Sequence, residues 1–304
     1  MSVLVLDEHQ VRQVLTMPEC IEAMDDVLRS LARGELFQPL RPVARPPQSD
    51  TLLGLMPAFR GGGAPAWSLK EIVIAPQNPA RGLDAHQGAV LLHDGETGQL
   101  RALLNASAIT EIRTAAVSAV ATRALARSGS RVVAILGGGV QAGSHEEAMR
   151  AVLPEAEIRR WRRADGVGPE ALLREADVVC TCTSAREPIL ELGWLKPGAH
   201  VNAVGSSVPS ARELDAETMG AATLVVDRRE SALNEAGDLL LAGFGEERIA
   251  AELGEVLVGE HPGRTSDDEL TVFKSLGLGV EDLAAAELVV RKAKAQGVGT
   301  EVPF

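Results

Sequence analysis

The 304-residue chain contains no tyrosine, three tryptophans and five phenylalanines, so aromatic side chains make up only 3% of it. Proteins that hold single-stranded nucleic acid stack the bases on aromatic platforms, and this composition offers little to build one. Positive charge is also in deficit: 42 Asp and Glu against 30 Lys and Arg give a formal net charge of −12. That balance disfavours phosphate backbones and anionic lipid as partners. Cysteine is scarce too, and Cys20, Cys180 and Cys182 make neither a disulfide framework nor a zinc spacing. Cys180 and Cys182 alternate along an apparent strand and read as small buried hydrophobes. No apolar run approaches the roughly 20 residues of a membrane span. The opening MSVLVLDEHQ lacks a basic n-region and a cleavage signature. These absences predict a cytoplasmic protein with no membrane and no nucleic-acid partner. The six histidines are scattered, and neither H-E-x-x-H nor G-x-S-x-G occurs, so neither a metal site nor a serine nucleophile is expected.

What remains is an ordinary globular composition, 45% hydrophobic and 24% charged, long enough for two domains. Residues 8–34 carry apolar positions at helical spacing, with Pro18 where a second helix would begin and Gly34 closing it. Between 39 and 104 the texture changes to short strands cut by Pro and Gly: 51–56, 66–74, 89–94 and 100–105, the last two joined by a Gly-Glu-Thr-Gly turn. This predicts an antiparallel or mixed sheet. An alanine-rich helix follows over 109–127. From 131 onwards strand and helix signals alternate, with strands at 132–136, 157–161, 178–183, 200–204 and 224–226, the rhythm of a doubly wound parallel sheet. A last helix over 280–295 is expected to pack back on the first domain.

The most informative stretch is RVVAILGGGVQAGSHEEAM, residues 131–149. A buried strand breaks into three glycines and becomes a helix. Gly137, Gly139 and Ala142 make the G-x-G-x-x-A form of the dinucleotide fingerprint, in which the helix start supplies free N–H groups to a pyrophosphate. The next strand ends in Trp161-Arg162-Arg163, at the position where such folds meet the adenine ribose. Two guanidiniums there favour a 2′-phosphate, hence NADPH, with NADH possible.

Upstream stand three cations apart from the glycine loop: Arg41, Lys70 and Arg113. Lys70 interrupts an apolar strand pattern, where an ammonium is costly unless paired. Arg113, read as lying in the first turn of its helix, would oppose the macrodipole. Two residues that break local rules point either to a shared anionic ligand or to salt bridges with the chain's many carboxylates.

Ordered matches along nearly the whole chain carry a resemblance. They include Gln38–Arg41, Met56–Phe59, Leu69-Lys70, His86-Gln87, Arg113–Ala116, Gly137–Ala142, Lys196–Gly205, Arg212–Asp215, Val272–Gly277 and Glu281-Asp282. The chain resembles the ornithine cyclodeaminase/mu-crystallin family, and within it the ketimine reductase, mu-crystallin-like branch. The resemblance implies a Rossmann-type doubly wound domain at 116–274 and an α+β domain for substrate binding and dimerisation at 1–115 and 275–304. It implies a carboxylate clamp of Arg41, Lys70 and Arg113. It implies cofactor contacts from His86, Arg113, Thr114, Gly137, Gly139, Val140, Gln141, Ala142, Arg162, Arg163, Thr183, Ser184, Ser275 and Leu276. In cyclodeaminases an aspartate follows the strand 200–204; here Ser207 takes its place, and Gly54 replaces a second acidic pocket residue. A hydroxyl cannot stand in for a carboxylate as base. The implied activity is therefore NAD(P)H-dependent reduction of a small cyclic imino acid by a homodimer. Lys70, or water held by Ser207, would supply the proton. The rivals are ornithine cyclodeaminase with bound NAD, an alanine-dehydrogenase-like enzyme, and a non-catalytic NADPH- or small-ligand-binding protein.

Overall fold

The structure, a computed structural model, describes residues 2–304. The chain divides into two compact units, one made of Met1–Arg113 with Leu278–Phe304 and the other of Thr114–Gly277.

The first unit is built on a mixed sheet. Its strands are β1 (Ser2–Leu6), β2 (Leu36–Phe37), β3 (Val43–Ala44), β4 (Leu52–Arg60), β5 (Ala66–Ile74), β6 (His86–Asp94) and β7 (Leu100–Asn105), with a C-terminal strand Thr300–Pro303. From that C-terminal strand the order runs β1-β7-β6-β5-β4-β2, with β3 also paired to β4. The β1–β7 pair is parallel, whereas β4 to β7 form an antiparallel meander. Helices α1 (Glu8–Val14) and α2 (Met17–Ala32) precede the meander. The helix Gly279–Gln296 lies against β4, β5 and β6 and against both of them. Asp7 caps α1 in a reciprocal box with Gln10, and Pro18 sits in the first turn of α2, so the sequence breaks one amphipathic stretch into two helices. Period-two alternation sets the faces of β5: Ala66, Ser68, Lys70 and Ile72 are buried, while Trp67, Glu71 and Val73 are exposed. Strand β1 escapes sequence reading because five mostly apolar residues carry no alternation to interpret, and its C-terminal partner because Thr-Glu-Val-Pro is exposed and carries no apolar run.

The second unit holds a seven-stranded, wholly parallel sheet of the doubly wound Rossmann type. Its strands are β8 (Val132–Leu136), β9 (Glu157–Trp161), β10 (Val178–Thr181), β11 (His200–Ala203), β12 (Thr223–Val226), β13 (Ile249–Glu252) and β14 (Thr271–Lys274), in the order β13-β12-β14-β11-β10-β8-β9. Five of them follow the alternation described above. β13 and β14 do not announce themselves, because each closes on a charged residue, Glu252 or Lys274, that interrupts the apolar run. β10 stops two residues short of the expected 183. Helix α3 (Ala106–Leu125), within which the two units divide, leads to β8, and α4 (Val140–Val152) follows it. The connection from β9 to β10 is trimmed to a single four-residue α-helical segment, Glu170–Leu173, beyond a short 3-10 turn. The core packs Ala134, Leu136, Val179, Val201, Leu224 and Val272, all fully buried. From β8 the chain adds β9 on one side and β10 on the other, so the strand order reverses between β8 and β10. Ligands of such sheets bind at the carboxyl ends of the strands at that reversal. Among the described residues no helix is long and apolar enough to cross a membrane.

Candidate active site

In the first unit the two rule-breaking cations meet two carboxylates. Lys70 is 2% exposed, and its Nζ lies 3.0 Å from Asp282 Oδ1, 2.8 Å from Asp282 Oδ2 and 3.4 Å from Thr110 Oγ1. Arg113, equally buried, donates from Nε to Asp282 Oδ1 at 3.0 Å and from Nη1 to Glu281 Oε2 at 2.8 Å. Asp282 therefore bridges both cations. Helix α3 begins at Ala106 rather than 109, so Arg113 lies well inside it and the expected opposition to the macrodipole does not arise. Glu281 and Asp282 instead occupy the first turn of their helix, where the dipole favours negative charge. No side chain of that helix's own N-cap, Leu278, satisfies the turn. Gln38 does so from a distance, accepting from Val280 N at 3.0 Å. The helix start also presses on β4, since a Cβ on Gly279 would fall 2.9 Å from the Pro57 carbonyl oxygen.

Burial pulls the Lys70 pKa down to about 8 from its ordinary 10.5; Asp282 holds it up, and the charges of Arg113 and Arg41 push it further down. The three cations named from the sequence are thus within electrostatic reach of one another, with Arg41 half-buried on the segment after Gln38. His86, at the start of β6, feels the same field: desolvation and the Lys70 charge lower its pKa.

The second unit carries the glycine loop. Gly137 has φ +146°, and a Cβ there would stand 2.5 Å from the Cys182 carbonyl oxygen, so no other residue fits the turn between the ends of β8 and β10. Gly139 is the N-cap of α4 and opens on free space. Val140, the first helical residue, is exposed, and Ala142 is fully buried beneath the turn. Gln141 Oε1 is buried without a hydrogen-bond partner, a polar atom left for a ligand. The Arg162 methylenes lie against Gly138, 3.2 Å from where its Cβ would be, and the guanidinium pairs with Asp165 at 3.2 Å. Arg163 is exposed immediately beyond. These features fit a dinucleotide: a cradle closed to side chains, a helix start facing open space, and two guanidiniums beyond the neighbouring strand. Among the described residues no cluster of His, Cys, Asp or Glu could hold a metal ion.

Comparison with known proteins decides the lineage. The profile of the ornithine cyclodeaminase/mu-crystallin family matches residues 1–167 and 166–297. The chain belongs to the ornithine cyclodeaminase/mu-crystallin family. It is 43% identical over 272 residues to the ketimine reductase mu-crystallin of Mus musculus, covering 84% of this chain and 85% of that protein. Among solved structures, an archaeal alanine dehydrogenase dimer with bound NAD superposes with a TM-score of 0.94 at 30% identity over 100% of both chains. The Thermococcus litoralis Δ1-pyrroline-2-carboxylate reductase in complex with NADH and L-proline gives 0.90 at 32% identity, over 99% of this chain and 100% of that one.

Most of the remaining residues named from the family pattern lie just past strand ends, and one lies inside a helix. Thr183 and exposed Ser184 follow β10; Ser275 and Leu276 are buried just after β14; Thr114 is buried within α3. Ser207 is exposed on the loop after β11, and its neighbour Ser206 is the buried one. Sequence reading assigned no role to the groups that hold these loops. Asp227 Oδ2 accepts from Leu276 N at 2.6 Å and from Gly277 N at 2.8 Å. Buried Glu213, Asp238 and Lys274 form a second polar network at the carboxyl ends of β10, β11 and β14. The only sequence signal was charge embedded in apolar surroundings, clearest at Lys274 after Val272-Phe273.

Because Asp282 neutralises two buried cations at once, Asp282→Asn should cost about 3–5 kcal/mol of stability. A denaturant titration of the isosteric variant beside the parent checks this.

Proposed function

We propose that this family member reduces small cyclic imines that carry a carboxylate, such as pyrroline-2-carboxylate or piperideine-2-carboxylate, with NADPH as reductant and NADH as an alternative. The carrying observation is the buried Lys70–Asp282–Arg113 cluster with Arg41 beside it. Lys70 and Arg113 share Asp282, and the Arg41 charge reaches Lys70, so an arriving acid group would meet cations already fixed in place. Likeness to a pyrroline-2-carboxylate reductase that binds NADH and L-proline supports the same class of substrate.

In this reading Arg41 and Arg113 orient the acid group, and Gly137, Gly139, Val140, Gln141 and Ala142 receive the pyrophosphate. Arg162 and Arg163 receive the 2′-phosphate. The reduced nicotinamide, when bound, supplies the hydride to the imine carbon. Lys70 Nζ carries the proton that the ring nitrogen takes up, and solvent restores it. An ammonium whose pKa is drawn to about 8 suits that task near neutral pH, because proton transfer is most effective when donor pKa and working pH are close. Ser207 offers a hydroxyl that orders water. With no carboxylate at that position, ornithine deamination lacks its base.

The protein is further proposed to act as a homodimer through the outer face of the first unit's sheet, where Trp67 and Val73 are each 40% exposed and Phe59 packs on Trp67 with ring centroids 4.7 Å apart. The related alanine dehydrogenase is a dimer.

A cyclic-imine panel followed by NADPH absorbance, repeated with NADH, should show turnover with the carboxylated rings. Release of ammonia and proline from ornithine without added reductant would overturn the assignment. kcat/KM should fall as pH rises through about 8, where Lys70 loses its proton. Lys70→Met should remove that limb and lower kcat/KM by about 100- to 10,000-fold. Light scattering should give twice the chain mass, and Trp67→Glu should shift the population to monomer.

A further inference from the structure

We propose that Glu213 is a positioning residue of the dinucleotide crevice, a buried carboxylate that fixes the wall against which the nicotinamide half of the cofactor lies. The proposal rests on the dinucleotide-binding reading given above. Glu213 is fully buried, and four donors converge on it: Thr181 Oγ1 at 2.6 Å, Thr183 Oγ1 at 2.6 Å, Thr183 N at 2.8 Å and Gly205 N at 2.7 Å. Two of these are backbone N–H groups beyond the ends of β10 and β11, and Gly205 N is shared between Glu213 and the Thr181 carbonyl, the latter at 3.1 Å. One side chain therefore ties together the chain leaving two adjacent strands, immediately beside the strand-order reversal.

The carboxylate is itself held. Glu213 N donates to Asp238 Oδ1 at 2.7 Å, as does Leu214 N at 3.0 Å. Asp238 Oδ2 lies 3.0 Å from Lys274 Nζ, which also donates to the Ala203 carbonyl at 3.0 Å. β10, β11 and β14 are thus locked to a common set of buried charges. The fit leaves no slack, since a Cβ on Gly205 would stand 2.5 Å from Glu213 Oε1 and 2.1 Å from the Thr183 carbonyl oxygen. Burying a charge in this way is expensive, and simple packing would not require it. The return is a rigid wall at Thr183, across the β8–β10 reversal from the glycine loop.

A doubly wound sheet binds a dinucleotide as two mononucleotide halves on either side of the reversal. β8, α4 and β9 serve the adenosine half; β10 and β11 lie on the other side. Each Glu213 oxygen accepts from two donors, so Glu213→Gln sets an amide NH₂ against two of the four, one of them a backbone N–H, and loosens only that second side. In calorimetric titrations of the folded full-length chain, Kd for NADPH should rise about tenfold, while Kd for 2′,5′-ADP, which lacks the nicotinamide half, should stay within twofold. NADH and ADP form the equivalent pair if the chain prefers NADH. Equal weakening of dinucleotide and fragment, or no weakening of either, would overturn the role of Glu213. If the unaltered protein bound neither ligand, the dinucleotide reading itself would fall. Should Glu213→Gln not fold, Thr181→Val decides on its own. It removes one donor, and a roughly threefold loss for NADPH with none for 2′,5′-ADP supports the proposal, whereas equal or absent losses refute it.

Discussion

Everything in the first unit is arranged around the cost of keeping an ammonium and a guanidinium away from water. Lys70 and Arg113 come from a strand and a helix that sequence pattern alone would make apolar at those positions. They persist because Asp282 stands between them and Glu281 completes Arg113. Both carboxylates sit at the start of a helix whose dipole favours them, and that helix start is capped by Gln38 and seated on β4 through Gly279. A buried ion cluster of this kind contributes little net stability compared with apolar packing. On the function proposed, its value is orientation: positive groups that would need no reorganisation when an acid group arrives.

The second unit meets the same problem with the opposite sign. There the immobilised charge is a carboxylate, and what it orients is backbone. Glu213 and Asp227 between them hold Thr183, Gly205, Leu276 and Gly277, all just past the carboxyl ends of parallel strands. A few backbone bonds continue past the strand ends, such as Ser275 N to the Ala203 carbonyl, and the buried carboxylates add the rest of the restraint on these loops. The two units are thus alike in principle, each fixing local structure with charges buried away from solvent.

How much of this the sequence disclosed depends on the range of the interactions. The glycine turn was legible because its demands are local: a positive φ at Gly137 and a Cβ-free approach to Cys182. The alternation of β5 was legible for the same reason, and it exposed Lys70 as an anomaly. The partner of Lys70 was not readable, because Asp282 lies 212 residues away and only folding joins them. Arg113 was noticed for a local reason that the helix start at Ala106 removes, while the long-range reason, its contact with Glu281 and Asp282, stayed hidden. Glu213 lay within the family-matching Arg212–Asp215 stretch but was given no role, and Asp238 went unremarked, because in a chain this rich in acids a buried carboxylate looks like any other until its donors are seen. β13 and β14 were missed because their terminal charges mask a parallel-sheet run.

The helix that brings Glu281 and Asp282 belongs to a segment that rejoins the first unit only after the whole of the second has been spelled out. Between Arg113 and Asp282 lie 169 positions, so at about 5–20 residues per second a ribosome takes roughly 10–30 s to deliver the anions once the cation has emerged. During that interval the growing polypeptide must keep Lys70 and Arg113 hydrated, and the inner face of β4 to β6 lacks its covering helix. The intervening unit, contiguous in sequence, is free to mature meanwhile. Assembly of the Lys70–Asp282–Arg113 cluster therefore follows synthesis of the whole second unit, and a product terminated before Gly279 would carry a Rossmann unit and an uncovered, chaperone-attracting sheet.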